Sequence, residues 1–171
     1  MIWQSSDWKK PLLKFSKQIN KWKEKCLSDK DLVDIEKTIL IAFYSIRKLV
    51  DARKLSNTTQ EMKINIFSYP NVKNVTLMNW DKIEQLYNLE EENPEQRHLS
   101  FIYNQLIHSY VFMVDDNAAG GFNGIFFSSD SQRNKKVFKI SADELIRILD
   151  TVGNDYPSSS RLGELGSGIN N

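Results

Sequence analysis

Leu32, Ile35, Ile39, Phe43, Ile46 and Val50 recur at three- and four-residue steps. A stripe that long commits the segment to an amphipathic helix. Ser28 and Asp31 stand where a capping box would open it, and the polar stretch 56–60 breaks it after about Lys54. At 1.5 Å per residue it is roughly 40 Å long. So long a stripe needs other elements to cover it. The neighbouring periodicities point to helices.

Pro11 suits the first turn of a helix running to about Cys26, with Leu12, Phe15, Ile19 and Trp22 at helical spacing. Trp80 to Leu89 reads as a short helix, and the segment 97–113 as a longer one on the stripe Leu99, Ile102, Tyr103, Leu106, Tyr110 and Met113. Ser141 with Glu144 caps a last helix carrying Leu145, Ile148, Leu149 and Val152, ended by Gly153. The run Asp115 to Gly121 reads as a loop. Two short apolar runs, 124–128 and 136–140, read as a β-hairpin with a polar tip at 130–134. Residues 61–79 are the least readable; Ile64, Ile66 and Phe67 suggest a short extended run, and Pro70-Asn71 a turn. The expected fold is therefore mainly α, a helical bundle with a hairpin appended at 122–140. It forms one domain over 1–156, followed by a flexible Ser- and Gly-rich tail over 157–171.

At 171 residues the chain is long enough for one sizeable core. Its 23 Lys and Arg against 22 Asp and Glu leave a net charge of +1, so no global field advertises nucleic acid. Lysines crowd residues 9–25, while Glu90, Glu91, Glu92 and Glu95 make an acidic patch. The single Cys26 excludes an intramolecular disulfide and a Cys-rich metal site, and fits a reducing compartment. No apolar run reaches signal-peptide or membrane-span length, so a cytoplasmic protein that enters no membrane is expected.

On the 97–113 segment Arg97, Phe101, Asn104 and His108 fall opposite the apolar stripe. Buried on both sides, such a helix would need partners for that polar face. The stretch Tyr103-Asn104-Gln105-Leu106-Ile107-His108-Ser109-Tyr110 resembles the signature helix of HEPN domains, particularly the small toxin-like members paired with minimal nucleotidyltransferases. Their motif runs Arg, a polar residue often Asn, about three further residues, His, one residue, and often Tyr. Asn104, His108 and Tyr110 match; Tyr103 stands in place of the arginine.

The resemblance implies a homodimer through the 97–113 face that brings two motifs together, and a toxin–antitoxin or phage-defence setting. It also implies RNA or a second protein as partner, with neither metal nor cofactor. His108 would then act as general acid and base and Asn104 as its orienter. The missing arginine makes a degenerate motif and a binding module the leading expectation. The alternatives are an active metal-independent ribonuclease with a borrowed arginine, and a purely structural interaction protein. Arg97, Arg47, Arg133, Lys135 and Lys136 are the candidate RNA contacts.

Overall fold

The computed structural model describes residues 2–157; the expected tail lies outside the described residues save for Pro157. The element order is α1 (Ser6–Lys23), α2 (Asp29–Asp51), α3 (Asn57–Gln60), β1 (Lys63–Pro70), α4 (Ile83–Leu86), β2 (Asn93–His98), α5 (Leu99–Ile107), β3 (Ser109–Asp116), β4 (Phe122–Ser129), β5 (Lys136–Ser141) and α6 (Ala142–Asn154). The five strands form one sheet in the order β2-β1-β5-β4-β3, with every pairing antiparallel.

This corrects the expectation of a mainly α, HEPN-like bundle: the fold is mixed, with a sheet as its centre. The two hairpin strands exist, with Phe126 opposite Lys139 and Phe127 opposite Phe138. They are not an appendage. β5 is the middle strand of the five, and Val137, Phe138 and Ile140 are all buried. A strand covered on both sides loses the alternation that marks a half-exposed one.

The expected 97–113 helix is cut into three pieces. Arg97 and His98 end β2, only Leu99–Ile107 is helical, and Ser109 begins β3. Leu99, Ile102 and Leu106 are buried as the stripe requires. Beyond them Tyr-Val-Phe-Met-Val is rich in aromatic and β-branched side chains, and it pairs with β4 from Ser109 to Asp116. Tyr110 and Met113 continued the helical spacing by coincidence.

One face of the sheet packs against α1, α2, α5 and α6. Leu12, Ile19, Ile39, Phe43, Ile46, Ile102, Leu145 and Ile148 meet Ile64, Ile66, Ile125, Phe127, Phe138 and Ile140 there. The other face is half covered. The long connection from β1 to β2, residues 71–92, folds back over it and buries Val75, Ile83, Leu86 and Tyr87 on Tyr69, Val111 and Val137. Phe67, on the uncovered half, is 37% exposed.

Candidate functional site

His108 is the C-cap of α5 and is exposed, as is Asn104 one turn earlier. The hydrogen bond joining them runs between backbones, His108 N–H to Asn104 C=O at 3.2 Å. Tyr103, at the motif's arginine position, packs on the main core. Burial raises its hydroxyl pKa, the nearby Asp51 charge adds to the rise, and Arg47 of α2 opposes it. Arg47 therefore lies on the helical side, half-buried next to Tyr103.

Two of the candidate RNA contacts are drawn together, but onto a carboxylate. Arg97 Nε donates to Glu95 Oε2 at 2.7 Å, and Lys136 Nζ to Glu95 Oε1 at 2.6 Å. The Ser68 hydroxyl adds a third bond to Oε1 at 2.5 Å. Burial works against the charged carboxylate, yet the bonds from Lys136, Ser68 and Arg97 outweigh it and hold Glu95 below its ordinary pKa. The Arg97 guanidinium also lies over the Phe101 ring, 4.9 Å from its centroid. Both cations are thus engaged at home.

At the β4–β5 tip, Arg133 pairs with Asp130 and stacks on Tyr110 at 3.8 Å. Its backbone carbonyl accepts from the buried Tyr87 hydroxyl at 2.7 Å. Lys135 is exposed and has no acidic partner among the described residues. Asp130 N–H donates to His108 C=O at 3.3 Å, which ties the tip to the end of α5. His108, Asn104, Arg133 and Lys135 therefore share one end of the sheet; Lys136 begins β5 beside them but turns its ammonium to Glu95, which also holds Arg97, and Arg47 lies on α2.

A concave feature on the other face of the sheet involves none of these residues. A cleft of about 480 Å³ opens between the sheet's outer face and the 71–92 connection. Its floor is Tyr69 of β1, Met113 of β3, Phe126 of β4 and Lys139 of β5, with Leu89 and Ile83 from the connection as its roof. Tyr69 and Phe126 are tilted 57° to one another at 5.8 Å. Lys139 Nζ bonds Asp115 Oδ2 at 2.8 Å and lies 5.1 Å from the centre of the Phe126 ring. Asn123 Nδ2 donates to the same carboxylate oxygen at 2.5 Å. The Tyr69 hydroxyl donates to Glu92; burial first, then that bond and the Glu92 charge, push its pKa well up.

Four strands far apart in sequence supply this floor, and the only local signal was the acidic pair Asp115-Asp116 in a segment read as loop. Asp115 is satisfied by Lys139 and Asn123, and the Tyr69 hydroxyl by Glu92. Such an arrangement orients and binds. Among the described residues no group of three or more His, Cys, Asp or Glu is placed to hold a metal ion. Nor is any helix among them long and apolar enough to cross a membrane. No protein family, curated protein or solved structure matches this chain.

Proposed function

We propose that this chain is a non-catalytic binding module whose ligand enters the cleft over the outer face of the sheet. One observation carries the reading. The cleft's volume of about 480 Å³ lies within the roughly 300–1,000 Å³ of small-ligand sites, and its apolar and aromatic floor lies beside charged groups that could orient a ligand. NMR of methyl-labelled methionine tests it, because Met113 lines the cleft and Met62 and Met78 do not. Fragments that bind should move the Met113 methyl signal, and Leu89→Trp, which fills the space, should abolish the shift. Shifts confined to Met62 or Met78, or shifts that survive Leu89→Trp, would overturn the reading.

A second reading places RNA at the His108 end of the sheet, favoured by the Asp130–His108 backbone bond that holds Arg133 and Lys135 beside Asn104 and His108. It needs two chains to bring two His108 side chains together, which light scattering reads directly. Salt-dependent binding of single-stranded RNA supports it. Cleavage that His108→Ala abolishes would make it an enzyme, and a monomer indifferent to RNA would end it.

A further inference from the structure

Granting the cleft as a binding site, we infer that its occupant is a small organic cation, an ammonium group carried on an apolar or aromatic body. The inference rests on the reading above. Four carboxylates line the cleft, Asp81, Glu84, Asp115 and Asp116, against two ammonium groups, Lys82 and Lys139. Lys139 is already engaged with Asp115 at 2.8 Å. Asp81, Glu84 and Asp116 are exposed and answer to Lys82 alone within the cleft. An anionic ligand would meet that excess as repulsion, and a neutral one would draw nothing from it.

The floor supplies the second half of the argument. Lys139 shows the cleft holding an ammonium between a carboxylate and an aromatic face, with Asp115 on one side and Phe126 on the other. Aromatic faces attract cations through their quadrupole, and more strongly once water is excluded. The Asp116 carboxylate and the thioether and isobutyl groups of Met113 and Leu89 line the same cleft as Lys139. An ammonium on Asp116 with its apolar body across Met113 and Leu89 uses all three. Met113 adapts its shape to such a body, because thioether side chains fill irregular space and favour aromatic neighbours.

The test titrates the whole protein with phenethylammonium, phenethyl alcohol and phenylacetate, three probes of one shape and three charges, read at the Met113 methyl. The ammonium should bind about fivefold more tightly than the alcohol, and Asp116→Asn should remove most of that margin. Added salt should weaken the ammonium only. Alcohol bound as tightly as ammonium, or phenylacetate bound best, would overturn the cationic class while leaving the cleft as a binding site. A Met113 signal unmoved by all three probes would overturn both. Asp116 is exposed, so its variant tests the charge without disturbing the core.

Discussion

The Lys9 ammonium donates a hydrogen bond to the backbone carbonyl of Lys54 at 2.8 Å, joining the first helix to the end of the second. A further bond reaches the carbonyl of Asp155 just past α6, and the Tyr156 ring lies 4.8 Å from Nζ. Lys9 has no solvent exposure, and carbonyls at helix ends lack partners of their own. One side chain therefore closes two of them.

Lys9→Met keeps the length of the side chain and removes both donors, leaving buried acceptors unsatisfied. The expected loss is about 2 kcal/mol, or roughly 4–8 °C in Tm for a chain of this size. Burial pushes the Lys9 pKa down; the nearby Asp155 charge opposes the shift and Lys54 adds to it. The unfolded chain thus keeps this proton to higher pH than the folded one. The folded state gains as pH rises between the lowered value and the ordinary lysine range near 10.4. Denaturant titrations at neutral and alkaline pH should show the gap between wild type and Lys9→Met widening with pH.

Gly153→Val should destabilise the chain by about 1–3 kcal/mol, read as a lower denaturant midpoint at unchanged slope. A Cβ at this position would lie 2.5 Å from Leu13 Cδ2 and 2.7 Å from Leu13 Cγ, where α1 packs on α6. A β-branched side chain adds two methyl groups to that overlap.

Gly153 also shows what a one-dimensional reading loses. As sequence it looks like a helix end, but it lies inside α6, which runs to Asn154, and it serves the close approach of α1. What depends on neighbours within one turn was legible. The α2 stripe buries Ile35, Ile39, Phe43 and Ile46, and Ser28 with Asp31 forms the expected capping box. The two strands of the hairpin lie close to their expected bounds. What depends on pairing was not. Leu99 to Leu106 and the residues from Tyr110 onward share one helical spacing, and only the presence of β4 turns the latter into a strand. The cleft was least legible, because Tyr69, Met113, Phe126 and Lys139 become neighbours only once β1, β3, β4 and β5 lie in register.

Ser28→Ala should cost about 1 kcal/mol, the usual loss of a helix N-cap. Ser28 Oγ accepts from Asp31 N–H, and Asp31 Oδ2 accepts from Ser28 N–H at 2.9 Å. Asp31 also takes bonds from Lys25 at 2.7 Å and from the Trp22 indole at 3.2 Å, so it fastens α1 to α2. The Lys25 bond, followed by those from Ser28, holds its pKa far below the ordinary aspartate range. A lowered folded pKa means stability that is present above about pH 4 and lost as pH falls towards the folded value. Acid titrations monitored by circular dichroism should show a shallower loss in Asp31→Asn than in wild type. Equal slopes would remove Asp31 from the acid limb.

Glu95→Gln carries the most information about both functional readings. Glu95 is the shared acceptor of Arg97, Lys136 and Ser68, and neutralising it leaves two cations without their counter-charge. Because its side chain is only 14% exposed, the stability loss should be about 1–3 kcal/mol at neutral pH. Its lowered pKa puts the wild-type advantage above the ordinary glutamate range near 4.3, fading as pH falls through the folded value. Glu95→Gln should therefore approach wild-type stability in acid. The freed Arg97 and Lys136 should also raise affinity for single-stranded RNA, with a steeper dependence on salt. Ligand shifts at Met113 should stay unchanged, because Glu95 does not line the cleft. A variant that gains RNA affinity and keeps the Met113 response separates the two sites in one protein. One that loses the Met113 response would mean that the Glu95 cluster and the cleft are coupled through β1 and β5, which contribute Ser68 and Lys136 to one and Tyr69 and Lys139 to the other.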